Sequence, residues 1–218
     1  NKGNDQMNAM ILAAGRGERL RPHTDTCPKP LLEVKGKPMI SYHFEALAQA
    51  GIKQVVVNVS WLGDKIEEMM GSGSQFGLDI VYSREVEALE TAGGIVHALE
   101  KLDDRFIVIN GDIFTDYPFE QLLSKKAVAH LVMVQNPSHH PKGDFGLSNG
   151  YVNNRAGNRH TFAGISCFQK SFFNDLKPGK QALAPLLRKA MEDNYVTAEL
   201  FEGQWTDVGT LKRWESLG

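Results

Sequence analysis

The sequence predicts an α/β fold, a Rossmann-like sheet that is mixed but mostly parallel, with helices on both faces and a small insertion. Two observations predict it. Short apolar segments alternate with amphipathic helical segments through the first half of the chain, and the apolar segments are too continuous for strands with one solvated face. Such strands are buried on both faces, and strand–helix alternation joins neighbouring strands in parallel. The less regular second half predicts the insertion.

In the first half, strands are predicted where β-branched or apolar residues run together, and helices where apolar residues recur every third or fourth position. Residues 52–59 show the first pattern, with four valines. Ile40, Phe44 and Leu47 show the second, and Gly51 ends that helix. The predicted strands are 9–13, 52–59, 78–82 and 106–110, and the predicted helices are 38–50, 62–70 and 91–99.

The second half combines strands with polar loops. Asn149 and Gly150 are typical of a two-residue turn, so 145–152 is predicted to be a hairpin. A polar, proline-containing loop is predicted at 136–143. The other predicted strands are 130–134, 161–168, 196–201 and 205–208, a helix is predicted at 183–192, and a last helix begins after Gly209 and Thr210.

Length and composition indicate one ordinary globular domain. The chain has 218 residues, of which 42% are hydrophobic and 23% charged, with a formal charge of −2. That charge gives no general attraction to nucleic acid or to an anionic membrane, and no apolar run reaches the ~20 residues that span a bilayer. Cys27 and Cys167 form neither a disulfide framework nor a metal knuckle, which favours a cytoplasmic protein. Residues 1–6 are expected to be a disordered terminus or an expression remnant, with 7–218 as the single domain.

A glycine loop follows the first strand. Gly15 and Gly17 are spaced by one residue, and Arg16, Arg19 and Lys29 make the segment strongly cationic. In such a loop backbone N–H groups can turn toward an anion, and the cations supply countercharge. The pattern therefore indicates a phosphate-rich ligand; the alternative is a plain glycine turn with solvated arginines.

Two aspartates stand where predicted strands end. Asp112 follows the strand at 106–110, and Asp207 lies beside Gly209 and Thr210. Ligands bind beyond the carboxyl ends of strands in an open parallel sheet. Carboxylates beside a phosphate site repel the ligand unless a divalent cation intervenes, so the pair suggests Mg²⁺ and phosphoryl or nucleotidyl transfer. Taken singly, each aspartate is equally typical of a helix cap or a turn.

Other phosphate and catalytic patterns fit less well. The first loop lacks the Gly-Lys-Ser/Thr ending of a P-loop, and Leu20 stands where a dinucleotide fingerprint has its third glycine. His139 and His140 have only Asp144 nearby, so a loop or substrate-contact role is favoured over a zinc site. The serines lack the Gly-x-Ser-x-Gly context of a hydrolase nucleophile.

The motifs resemble the signature of sugar-1-phosphate nucleotidyltransferases. The resemblance rests on residues 12–22, on Pro28 to Leu31, on Gly111 and Asp112, and on residues 205–210, all in the family's order. It implies that Arg19, Lys29, Asp112 and Asp207 are catalytic and that Asp112 and Asp207 hold Mg²⁺. It further implies nucleotide-binding roles for Leu12, Ala13, Ala14, Gly15, Arg16, Gly17, Lys29, Glu85, Glu90, Thr91, Gly93 and Asn110, and sugar-binding roles for Asp144, Gly164 and Asp207.

Finer features resemble the uridylyltransferases of the family that act on N-acetylmuramate 1-phosphate in bacterial cell-wall recycling. They are residues 136–145, Trp61 to Gly63, Leu89 to Thr91 and Thr161 to Gly164. The resemblance implies UTP and a sugar 1-phosphate as substrates. No nucleic-acid or membrane partner is expected, and the protein is expected to be a monomer or small homo-oligomer. Glu85 can accept from a uracil or a guanine N–H, so a mannose- or heptose-phosphate guanylyltransferase stays an alternative, as does a non-catalytic nucleotide-sugar-binding module.

Overall fold

The computed structural model describes residues 6–218, and the expectation for residues 1–5 lies outside them. The strands are β1 Met7–Leu12, β2 Glu33–Val34, β3 Lys37–Pro38, β4 Gln54–Val59, β5 Asp79–Arg84, β6 Arg105–Asn110, β7 Ile113–Thr115, β8 Ala129–Val134, β9 Phe145–Ser148, β10 Tyr151–Asn153, β11 Arg159–Gln169, β12 Val196–Leu200 and β13 Trp205–Asp207. The helices are α1 His23–Thr26, α2 Met39–Gln49, α3 Gly63–Met70, α4 Glu90–His97, α5 Leu183–Glu192 and α6 Leu211–Glu215. No helix within residues 6–218 has the length and apolarity that a membrane crossing requires.

The first half of the chain forms the parallel part of the large sheet, in the order β5-β4-β1-β6. Successive side chains of these strands point to opposite faces, so each strand contributes to two cores. On β1, for example, Ala9 and Ile11 pack with α2 and α3, whereas Met10 packs with α4 and α5 on the other face. Helices on both faces confirm the predicted fold class.

The second half continues the sheet through antiparallel pairing of β11 with β6 and β8. The remaining order is β8-β12-β10-β9, and the start of β11 pairs with β9, so these five strands close into a ring. The predicted hairpin at Asn149 and Gly150 is confirmed: both residues have positive φ, 52° and 78°, as a two-residue turn of this type requires.

A separate two-stranded ladder links distant parts of the chain. Asp207 on β13 pairs in register with Ile113 on β7, and the N–H of Val208 donates to the carbonyl of Asp112 at 2.7 Å. The sequence did not predict β7 as a strand. This ladder brings Asp112 and Asp207 to adjacent strands at the edge where β1 and β6 end.

Candidate active site

A cavity of about 270 Å³ opens beyond the carboxyl ends of β1, β4 and β6. Its floor is the glycine loop, and one wall is the start of α4. The predicted nucleotide-binding residues that line it are Leu12, Ala13, Ala14, Gly15, Gly17, Lys29, Glu85, Glu90, Thr91 and Asn110, with Asp112 at its margin. The position is the one where ligands bind in sheets of this kind.

A buried hydrogen-bond chain shapes the wall opposite the glycine loop. The N–H of Ala13 donates to Asn58 Oδ1 at 2.7 Å, and Asn58 Nδ2 donates to Glu85 Oε2 at 2.9 Å. Glu85 Oε1 accepts from the N–H of Leu89, also at 2.9 Å. Glu85 is only 5% exposed, so these bonds fix its carboxylate as an acceptor at the cavity wall. Gly94 leaves space for these hydrogen-bonded side chains, because a Cβ at that position would lie 2.9 Å from Asn58 Nδ2.

Two predicted nucleotide-binding residues are placed differently from expectation. The side chain of Arg16 does not line the cavity; it donates to Asp25 Oδ1 at 2.6 Å and stacks on Trp61. Gly93 packs against another segment, its N–H donating to the carbonyl of Gln181 at 3.0 Å. The Arg16 charge does not face the cavity, since Asp25 neutralises it behind the loop. The glycine beside the cavity wall is Gly94 rather than Gly93.

Lys29 lies between the glycine loop and the first strand-end aspartate. Its Nζ is 3.1 Å from Asp112 Oδ2, and its side chain is 14% exposed whereas that of Asp112 is 40% exposed. A largely buried ammonium on a flexible stem, beside a half-exposed carboxylate, can contact an incoming phosphate from the same position.

A second cavity, of about 370 Å³, adjoins the first, and Asn110 and Asp112 line both. The predicted residues on its wall are Arg19, Asp112, Asp144, Gly164 and Asp207, together with His139, His140 and Arg213, which were not predicted as site residues. The two cavities therefore share Asn110, at the end of β6, and Asp112 just beyond it. Two ligands bound side by side would meet there.

One carboxylate oxygen of Asp207 accepts a hydrogen bond from Arg213, and the other accepts none. Arg213 donates through Nη2 to Asp207 Oδ2 at 2.9 Å and through Nε to the Asp207 carbonyl at 3.0 Å. Asp207 Oδ1 is shielded from solvent and accepts no hydrogen bond, since His139 Nε2, although 2.9 Å away, is not aligned to donate. Buried carboxylate oxygens without a donor are rare, and a divalent cation would satisfy this one. Residues 6–218 hold no group of three or more His, Cys, Asp or Glu side chains arranged for a metal. Asp112 and Asp207 both line this cavity, and theirs are the carboxylates that could hold a divalent cation there.

The far wall of the second cavity is built around Asp144. Its Oδ2 accepts from the N–H of Phe162 at 2.8 Å, and His140 Nε2 is 3.0 Å from its Oδ1. The register of β11 shifts between Phe162 and Ser166, and Gly164 at the shift has a φ of 75°. A Cβ on Gly164 would lie 2.6 Å from Asn110 Nδ2, so only glycine lets β11 approach Asn110 this closely.

Among the residues at the site that were not in the predicted set are Asn58, His139, His140 and Arg213. Asn58 interrupts a run of valines, and an amide in a buried strand is a usable signal because it must find partners. The histidine pair was noted as a loop or substrate-contact candidate. Arg213 is positioned by α6, which Thr210 caps by accepting from the Arg213 N–H at 3.3 Å. Nothing in the local sequence indicates that its guanidinium turns back to Asp207.

The comparisons with known proteins agree with this architecture. The structure superposes on a Bacillus anthracis protein assigned as a glucose-1-phosphate thymidylyltransferase with a TM-score of 0.86, 23% identity and coverage of 97% of this chain and 93% of that one. It superposes on HddC from Yersinia pseudotuberculosis, solved in complex with GMP-PN, with a TM-score of 0.79, 21% identity and coverage of 96% and 97%. At these identities the likeness supports the fold.

The relatives found by sequence are more similar in sequence than these two structures. The chain is 47% identical to N-acetylmuramate alpha-1-phosphate uridylyltransferase of Neisseria meningitidis serogroup B, over 95% of both chains. It is 34% identical to mannose-1-phosphate guanyltransferase of Gibberella zeae, over 94% of this chain and 62% of that one. The family model described as nucleotidyl transferase matches residues 8–156. The chain therefore belongs to the nucleotidyl transferase family.

Proposed function

We propose that this protein transfers a uridylyl group from UTP to N-acetylmuramate 1-phosphate, forming UDP-N-acetylmuramate and diphosphate. The observation that carries the chemistry is the meeting of two cavities at Asn110 and Asp112, beside Lys29. The choice of substrates rests on the Neisseria uridylyltransferase, which matches nearly the full chain at 47% identity. The proposal takes residues 7–218 as one nucleotidyltransferase domain.

In the proposed reaction, a phosphate oxygen of the sugar 1-phosphate attacks the α-phosphorus of UTP. The bond between that phosphorus and the α–β bridging oxygen breaks, and diphosphate departs with the electron pair. The nucleophile is already an anion, so no base has to remove a proton. Catalysis then consists of alignment and charge stabilisation.

The proposed roles of the catalytic residues are as follows. The backbone from Leu12 to Gly17 cradles the nucleotide, and Lys29 neutralises the α-phosphate and the sugar phosphate as they approach. Arg19, on the wall of the second cavity, stabilises the departing diphosphate. Asp112 and Asp207 would hold Mg²⁺, which supplies further positive charge at the phosphate oxygens when bound.

The substrate-reading roles are also proposals. Glu85 accepts from the N3–H of uracil, with Glu90, Thr91 and Asn110 on the same cavity wall. Asp144, Gly164 and Asp207 contact the sugar in the second cavity, where the lactyl ether of muramate also has to fit. The proposed setting is bacterial peptidoglycan recycling in the cytoplasm, by a monomer or small homo-oligomer.

A second candidate function is mannose-1-phosphate guanylyl transfer. It is favoured by the Gibberella relative and by Glu85, since the N1–H of guanine could donate to the same carboxylate. Adenine and cytosine present an acceptor at the corresponding ring nitrogen, so a fixed carboxylate disfavours both.

A diphosphate-release screen that crosses the four nucleoside triphosphates with a panel of sugar 1-phosphates tests the proposal. We expect UTP with N-acetylmuramate 1-phosphate to have the highest kcat/KM, and Asp112→Asn to abolish the signal. Faster turnover of N-acetylglucosamine 1-phosphate, or of GTP with mannose 1-phosphate, would replace the proposed substrates. Binding of UTP without diphosphate release from any combination would favour the non-catalytic module.

A further inference from the structure

Arg16 lies between the two glycines of the loop, Gly15 and Gly17, yet its side chain lies behind the loop. Its guanidinium carbon is 4.0 Å from the centre of the Trp61 ring, a cation–π arrangement. Nη1 donates to the carbonyl and hydroxyl of Thr24 at 3.0 and 3.2 Å, and Nη2 donates to Asp25 Oδ1. These contacts join the loop after β1 to the connection between β4 and α3.

Thr24 is the hub of these contacts and is fully buried. Its hydroxyl donates to the carbonyl of Gly17 at 2.7 Å, and its carbonyl accepts a second bond from Trp61 Nε1 at 2.8 Å. A Cβ on Gly17 would lie 2.8 Å from Thr24 Cγ2, and Gly17 has a φ of 70°, so the glycine backbone is pressed directly against the threonine. The loop carbonyl and its glycine are therefore fixed by side chains on the side away from the cavity.

We propose that Arg16, Thr24 and Trp61 form a brace that holds the glycine loop ready for the triphosphate, and that Arg16 is a positioning residue and makes no contact with phosphate. A glycine-rich backbone has many conformations, and a ligand that must order it loses affinity. With the brace in place, the loop that lines the cavity at Gly15 and Gly17 keeps one conformation before the nucleotide arrives. This inference rests on the proposed function, since it concerns binding of the nucleotide substrate.

The test compares two arginine variants of the full-length protein by calorimetric titration with UTP. Arg21 donates to the same Asp25 oxygen as Arg16, at 2.8 Å, but makes no contact with Thr24 or Trp61 among the described residues. Arg16→Met and Arg21→Met therefore each remove one ion pair with the same Asp25 oxygen, and Arg21→Met also removes a longer pair with Glu18. Only Arg16→Met removes the brace. We expect Arg16→Met to raise the Kd for UTP by about tenfold, because the loop then has to be ordered on binding. The KM for the sugar 1-phosphate should change less than about twofold in both variants, and so should the Kd for UTP in Arg21→Met.

Substitutions at Trp61 test the brace independently, because Trp61 does not line the nucleotide cavity. Trp61→Leu should reproduce the loss in UTP affinity, and Trp61→Phe should recover part of it by restoring an aromatic face for Arg16. The double variant Arg16→Met with Trp61→Leu should bind UTP no more weakly than the weaker-binding single variant, since the two substitutions remove the same brace. Arg16→Lys keeps a cation over the Trp61 ring but loses the guanidinium donors to Thr24 and Asp25, so its Kd for UTP should lie between those of the wild type and Arg16→Met. It replaces Arg16→Met in the test if that variant does not fold.

Unchanged UTP affinity in Arg16→Met, with only a lower free energy of unfolding, would overturn the inference. So would additive losses in the double variant, or equal losses for UTP and the sugar 1-phosphate. If the wild-type protein binds another nucleoside triphosphate instead of UTP, the proposed function fails, and the same comparison is made with that nucleotide. The two failures are therefore distinguishable.

Discussion

Replacing Glu85 with glutamine tests the buried hydrogen-bond chain of the nucleotide cavity. Both carboxylate oxygens of Glu85 accept hydrogen bonds, one from Asn58 Nδ2 and one from the N–H of Leu89. The amide nitrogen of a glutamine can only donate, so one of these donors loses its acceptor. Asn58 cannot resolve the conflict by turning its amide, because its Oδ1 is already the acceptor for the N–H of Ala13.

The expected cost follows from that geometry. A buried donor left without an acceptor costs about 1–3 kcal/mol, which corresponds to about fivefold to more than a hundredfold in an equilibrium constant. Glu85→Gln should lower the free energy of unfolding by that amount. It should also raise the KM for UTP, since Ala13, Asn58 and Glu85 all line the nucleotide cavity.

Urea denaturation and UTP titration of Glu85→Gln measure both effects, with Glu87→Gln as the matched control. Glu87 is exposed two residues further along the same loop, so its replacement makes the same chemical change outside the network. We expect Glu87→Gln to behave like the wild type. A Glu85→Gln protein that matches the control in both measurements would refute the assignment of donors and acceptors along this chain.

Three further predictions concern the catalytic charges and one buried histidine. Asp112→Asn or Asp207→Asn should reduce diphosphate release at least about a hundredfold while changing the melting temperature little, and full activity in chelator would contradict a metal role for either carboxylate. Arg19→Ala should remove about 2–4 kcal/mol of transition-state stabilisation, measured as kcat/KM, and an unchanged value would exclude the proposed contact with the departing diphosphate. Burial lowers the pKa of His43 from 6.5 to about 4, so between these values the unfolded chain binds the proton more readily than the folded chain. Stability should therefore fall by about 2 kcal/mol between pH 7 and 5 through this group, and urea denaturation should show a flatter pH profile in His43→Leu.

The fold was largely predictable because its strands and helices carry strong local patterns. The helix at 183–192 was predicted to the residue, and the ends of the parallel strands were predicted to within two residues. Among the elements that the sequence did not predict is β7, three residues long, whose partner β13 lies some 90 residues further along the chain. A strand this short is defined by its pairing, and pairing between such distant segments leaves no periodic signal.

For the site, the sequence predicted where the residues lie but not where their side chains point. Motifs placed Lys29, Asp112 and Asp207 at one end of the sheet, and the structure brings them to adjoining cavities. They did not indicate that the Arg16 side chain points away from the nucleotide cavity, because that depends on Trp61, 45 residues further along the chain. Nor did they indicate that Arg213 folds back onto Asp207, which depends on where α6 begins.

The cations around the two cavities explain why Arg19 is the best candidate for the departing diphosphate. Lys29 is paired with Asp112, Arg213 with Asp207, and Arg16 with Asp25. Within residues 6–218, Arg19 is exposed and has no ion pair or hydrogen bond to its side chain. A guanidinium without a carboxylate partner loses no existing bond when it meets a phosphate, so its full attraction is available to the ligand. In the sequence the cations of the signature look alike, and the structure separates them by their partners.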